Sequence, residues 1–100
     1  MQVGPFWSVT RTPDELSITC AIDAVPSEVR REGPFVAFVV VGPLDFSLTG
    51  LVDRLTSPLA ESGIAIFVTA TFDTDYVLVA EAQESDARHA WLAAGLTIEP

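Results

Sequence analysis

Residues 35–80 read FVAFVVVGPLDFSLTGLVDRLTSPLAESGIAIFVTATFDTDYVLVA, and this stretch decides the fold. It opens on Phe35–Val41, FVAFVVV, an apolar run rich in β-branched and aromatic residues. Gly33-Pro34 and Gly42-Pro43 bracket it. A short continuous apolar run between turn signals reads as a fully buried central strand. Across Leu44–Gly63, the residues Leu48, Leu51, Val52, Leu55 and Leu59 recur at helical spacing. Asp45 or Ser47 suits the start of that helix, and Gly63 the position after its last turn. Pro58 removes one backbone donor near the helix end. Ile64–Phe72, IAIFVTATF, has the composition of a second strand. Asp73-Thr74-Asp75 is a short polar turn, and Tyr76–Ala80, YVLVA, returns from it as a third strand, making a hairpin.

Downstream, Ser85–Ala94 reads as a second helix. Ser85 is its expected N-cap, Ala87, Ala90, Trp91 and Ala94 form its apolar stripe, and Gly95 ends it. Leu96–Glu99 is expected to be a short final strand. The order β-α-β-β-α-β predicts an α+β fold, the ferredoxin-like split βαβ sandwich. Upstream, Phe6–Thr12 and Leu16–Ala21 read as two strands around the turn Pro13-Asp14-Glu15. The polar segment Ala24–Glu32 then crosses to the first core strand. The division expected from this is an N-terminal β-hairpin extension to the sheet over residues 1–32, followed by the core domain over residues 33–100.

Composition narrows the chemistry. The chain has 100 residues, with 14 Asp and Glu against 5 basic residues, all arginine, and a formal net charge of −9. Without lysine there is no Schiff base and no phosphate-loop lysine. The single Cys20 cannot form an intrachain disulfide, and with the single His89 it cannot build a Cys/His zinc cage. Strong acidity disfavours nucleic acid and anionic membrane surfaces as partners. No apolar run reaches the ~18 residues of a membrane span. The start, MQVGPFWSVT, lacks the pattern of a signal peptide, so the expected location is the cytoplasm.

Two loops can carry chemistry. In Gly42-Pro43-Leu44-Asp45-Phe46-Ser47 a strand feeds a helix, and backbone N–H groups at such a helix start bind anions, including a carboxylate. An ordinary capped turn is the plainer reading. Asp45 there disfavours phosphate, because a fixed carboxylate repels a dianion. In Thr71-Phe72-Asp73-Thr74-Asp75-Tyr76 two carboxylates stand at a hairpin tip. They form either a solvated turn or a receptor for an ammonium or guanidinium group. Nothing beside them supplies a nucleophile or base, so catalysis is not expected. Together the loops suit a zwitterion. The hairpin tip is expected at the end where the first core strand begins, so a site using both loops requires two chains or the N-terminal hairpin. His89 reads as a half-exposed helix residue, Cys20 as a core thiol, and Phe6 and Trp7 as core or interface anchors.

The run VGPLDFSLTGLVDRLTSPLAESGIAIFVTATFDTDYVLV resembles the ACT domain, in the small variant related to the C-terminal domains of aspartate kinase. WSVTRTPDELSITC resembles the segment that precedes it in small stand-alone bacterial ACT proteins. The resemblance implies a non-catalytic regulatory module that binds an amino acid or other small metabolite, without cofactor or metal. It also implies a homodimer, with two domains side by side and the ligand at their interface. Carried over onto this chain, the ligand contacts are Gly42, Leu44 and Asp45, then Ile64 and Ala65, then Thr71, Phe72, Asp73 and Asp75. Asp75 is the residue for a cationic group and Phe72 an apolar wall. The alternative is a protein–protein assembly module with no small ligand.

Overall fold

Phe35–Val39 and Asp75–Ala80 pair antiparallel at the centre of a four-stranded sheet, and both helices pack on one of its faces. The computed structural model describes residues 1–40 and 48–99. Its elements run β1 (Gln2–Val3), β2 (Ser8–Arg11), β3 (Leu16–Thr19), β4 (Phe35–Val39), α1 (Leu48–Glu61), β5 (Phe67–Ala70), β6 (Asp75–Ala80) and α2 (Glu84–Ala93). The main sheet has the order β1-β4-β6-β5, with every pairing antiparallel. The result is a small mixed α/β domain with an antiparallel sheet and two helices, as in ferredoxin-like folds. No helix among the described residues is long and apolar enough to cross a membrane.

Side chains alternate across a strand, and the alternation sorts this sheet cleanly. Val36, Phe38 and Val40 of the β4 segment join Val77 and Val79 of β6 under the helices. Leu51, Leu55 and Leu59 of α1, with Ala87 and Trp91 of α2, close the core from above. Phe35, Ala37, Val39, Tyr76 and Leu78 fall on the opposite, helix-free face. There Phe6 stacks on Tyr76 with ring centres 4.7 Å apart, and Phe35 meets Phe67 edge-on at 5.4 Å.

Each helix ends on a glycine with positive φ. At α1, Gly63 (φ 73°) donates to Ala60 O and Ile64 N–H donates to Leu59 O at 2.8 Å. At α2, Gly95 (φ 89°) donates to Leu92 O and Leu96 N–H donates to Trp91 O at 3.0 Å. This is the Schellman pattern, which satisfies terminal carbonyls and folds the next apolar residue back onto the helix. A Cβ at Gly63 would meet nothing within 4 Å, so only backbone strain opposes substitution. Gly63→Ala is therefore expected to cost about 1 kcal/mol. That corresponds to roughly 4–8 °C in a thermal melt, and an unchanged melting temperature would contradict this account of the helix end.

Four expectations from the sequence are corrected here. The N-terminal hairpin forms, but β2 and β3 make a separate two-stranded sheet and do not extend the main one. Leu96–Glu99 is not a strand. The place beside β4 is taken by Gln2–Val3, so the C-terminal segment pairs with Met1 instead: Glu99 N–H donates to Met1 O, and the Met1 ammonium donates to Thr97 O. Ser85 lies inside α2, because a 3-10 turn over Glu81–Gln83 runs directly into the helix and Gln83 takes the cap position without a side-chain bond. Cys20 is half-buried beside the hairpin and not a core thiol.

Candidate ligand-binding site

The antiparallel register of β4 and β6 fixes which loops meet. Val39 lies opposite Tyr76, and Val40 N–H donates to Asp75 O at 3.0 Å. The end of β4 therefore stands beside the start of β6 and the hairpin tip before it. This reverses the expectation that the tip lies where the first core strand begins. The helix carries the chain back across the sheet, so β4 and β5 run parallel with β6 between them, and their ends coincide. One chain thus brings the Thr71–Asp75 turn to the end of β4. The positive end of the α1 backbone dipole starts at the same side of the sheet. Gly42, Leu44 and Asp45 lie outside the described residues.

The turn itself is closed by its threonines. Thr71 N–H donates to Thr74 O at 2.7 Å, the Thr71 hydroxyl lies 3.0 Å from the same oxygen, and Thr74 N–H donates to Thr71 Oγ1 at 3.0 Å. The polar groups of Thr71 are committed to this turn. Phe72 and Asp73 stand at the tip, fully and largely exposed. Asp75 differs sharply from Asp73. As the first residue of β6 it shares the face of Val77 and Val79, beneath the helices, and it is only 5% exposed. It is the one buried charged side chain among the described residues. No hydrogen bond or ion pair links its carboxylate to another described residue. No buried side-chain oxygen among the described residues lacks a hydrogen-bond partner, so the Asp75 carboxylate is not sealed in the core and its oxygens keep some contact with solvent.

Ile64 and Ala65 lie elsewhere. Ile64 is a core residue held by the α1 terminus. Ala65 leads into β5 at the opposite end of the sheet, roughly 17 Å away along β6 at about 3.4 Å per residue. There Pro34, Phe35, Ala65, Phe67 and Ala80 line an open apolar groove of about 560 Å³, with Glu32 and Glu81 beside it. The sequence reading did not single out this groove. Its signal is the alternation that puts both Phe35 and Phe67 on the helix-free face, and only the strand register makes them neighbours.

Comparison with known proteins agrees with this architecture. The ACT domain family model matches residues 30–90, and the model of a separate N-terminal domain matches residues 1–28. No curated protein matches the chain. A structural-genomics target protein from Agrobacterium tumefaciens is 42% identical, superposes with a TM-score of 0.87, and covers 97% of this chain and 74% of its own. A Vibrio cholerae protein of unknown function, described as a possible transport protein, is 22% identical with a TM-score of 0.68, covering 89% of this chain and 69% of its own; it speaks to the fold alone. The family match spans more than half the chain and covers β4, α1, β5, β6 and the first seven residues of α2, so this protein belongs to the ACT domain family.

Proposed function

We propose that this chain is a non-catalytic regulatory module that binds an amino acid at an interface between two copies, with Asp75 receiving the ligand's cationic group. The observation that carries this reading is Asp75, an acid only 5% exposed whose carboxylate has no partner among the described residues and still meets solvent, at the end of the sheet where β4 and β6 meet. The start of α1 on the same side suits the ligand carboxylate. Phe72 and Asp73 are exposed at the tip, which suits cover by a second copy. Thr71 acts by holding the turn. Membership of a family of generally regulatory domains supports the non-catalytic part of the reading.

The test is a thermal melt against each proteinogenic amino acid. A ligand at ~100 times its dissociation constant adds ~2.7 kcal/mol, which in a domain of this size raises the melting temperature by about 10 °C or more. Asp75→Asn is expected to fold and to bind about 10- to 100-fold more weakly, since a hydrogen bond to a charged group contributes ~1.5–3 kcal/mol. A screen in which no amino acid moves the melt, or calorimetry that finds Asp75→Asn binding unchanged, sinks the reading. An assembly module without a small ligand is the second reading, favoured by the apolar residues exposed on the N-terminal hairpin.

A further inference from the structure

The groove at the end of the sheet away from Asp75 is shaped by its small residues. Phe35 lies directly opposite Ala80, and Phe67 opposite Leu78, so all four share the helix-free face. Ala80, with a single methyl, lets the two rings meet over β6, edge-on with centres 5.4 Å apart. Phe67 keeps half of its surface open to solvent. Gly33 forms the wall beside Phe35. Its φ of 127° is one that L side chains rarely adopt, and a Cβ there would lie 3.3 Å and 3.4 Å from two carbons of the Phe35 ring. Glycine therefore keeps that ring uncovered. Glu81 N–H donates to Pro34 O at 3.0 Å, which pins the segment entering β4 to the segment leaving β6.

The chemistry of the lining is one-sided. Its side chains supply aromatic surface, methyl groups and the carboxylates of Glu32 and Glu81, but not one hydrogen-bond donor and no positive charge. Both glutamates are exposed, and neither side chain has a hydrogen bond or ion pair with another described residue. The whole chain carries a net charge of −9, which draws cations towards it and repels anions. A carboxylate or phosphate meets repulsion here and no donor to hold it. A primary ammonium has three donors and would lay part of them on apolar carbon. An alkylated ammonium has no such demand. Its charge is spread over methyl groups that pack on aromatic rings, and nearby carboxylates balance it.

We propose that this groove binds a small alkylated ammonium ion, with its methyl groups against Phe35 and Phe67 and its charge beside Glu32 and Glu81. The groove's volume of about 560 Å³ is in the range of small-molecule sites. It is open, so its carboxylates act through solvent, and the expected dissociation constant is on the order of 1 mM. The site is distinct from that of Asp75 and does not rest on it, since it disfavours the carboxylate that every amino acid carries.

The test is two-dimensional NMR of the full chain titrated with choline chloride, without any amino acid and with ionic strength held constant by sodium chloride. Saturable shifts are expected at the amides of Phe67, Glu81 and Ala82, with a dissociation constant of about 1 mM. Dimethylbutanol, the uncharged carbon isostere of choline, and glycine betaine, which adds a carboxylate, are each expected to bind about tenfold more weakly. Glu32→Gln/Glu81→Gln alters two exposed side chains and is expected to leave the thermal melt unchanged. It is expected to weaken choline about five- to tenfold and to leave dimethylbutanol unaffected. Phe67→Leu is expected to weaken choline about threefold. Absence of saturable shifts well above millimolar choline overturns the proposal. So do shifts centred on Asp75 instead of the groove, a neutral isostere that binds as well as choline, or choline affinity unchanged in Glu32→Gln/Glu81→Gln.

Discussion

Trp91→Ala is expected to cost about 3–5 kcal/mol of stability, a large share of the ~5–15 kcal/mol that holds a domain of this size folded. Trp91 is fully buried and meets Phe38, also fully buried, edge-on with ring centres 5.0 Å apart. Its indole N–H donates to the backbone carbonyl of Leu55 at 2.9 Å, so a single side chain joins α2 to α1 and to the sheet. Its own carbonyl accepts the Leu96 N–H that closes the helix end. Alanine opens a cavity between helix and sheet and strips the Leu55 carbonyl of its side-chain donor. Trp91→Phe keeps an aromatic ring against Phe38 and loses the donor, so its cost is expected to be about half as large. Urea denaturation followed by far-ultraviolet circular dichroism measures both, because Trp91 is itself the buried fluorophore. A Trp91→Ala variant within ~0.5 kcal/mol of wild type would show that the helices do not share this contact.

The parts of the fold legible in the sequence are those where hydrophobic period and turn chemistry agree. β4, α1, β5 and β6 each carry an unambiguous pattern, and Gly63 and Gly95 mark helix ends that the backbone confirms with positive φ. β1 was not legible, because a two-residue strand has no period and its pairing to Val39 and Phe38 is a backbone affair. Once it occupies that edge, Leu96–Glu99 has no place in the ladder, although its composition suits a strand. The hairpin's strands were legible but not their neighbour: they were expected to extend the main sheet, yet they pair only with each other, and the face carrying Val9, Leu16 and Ile18 is left open. At the candidate site, one residue of strand boundary mattered. Beginning β6 at Tyr76 leaves Asp75 in the turn beside Asp73, equivalent to it. Beginning it at Asp75 sets that residue in phase with Val77 and Val79 and buries it. The groove at Phe35 and Phe67 needed the register itself, since those residues sit on strands separated by β6.

Leu55→Ala is expected to cost about 2–5 kcal/mol, and the comparison that gives this number meaning is Val52→Ala. Both residues belong to the apolar spacing of α1, yet Leu51, Leu55 and Leu59 line the core while Val52 is exposed. Helical geometry explains the difference: positions four apart stack on one side, and Val52 is turned about 100° from Leu51. Val52→Ala removes little buried surface and replaces a β-branched residue by the best helix former, so its net cost is expected to be below ~0.5 kcal/mol. Leu55 is 1% exposed, and the carbonyl that receives the Trp91 indole is its own. Truncating its side chain leaves that bond available but removes the packing around it. Leu55→Ala and Trp91→Phe are therefore expected to be non-additive in a double-mutant cycle, by at least ~0.5 kcal/mol, as neighbours sharing one contact are. Chemical denaturation of the single and double variants reads all of these values. Equal losses at positions 52 and 55 would mean that the face of α1 is wrongly assigned, and strict additivity would mean that the indole bond does not depend on the leucine packed beside it.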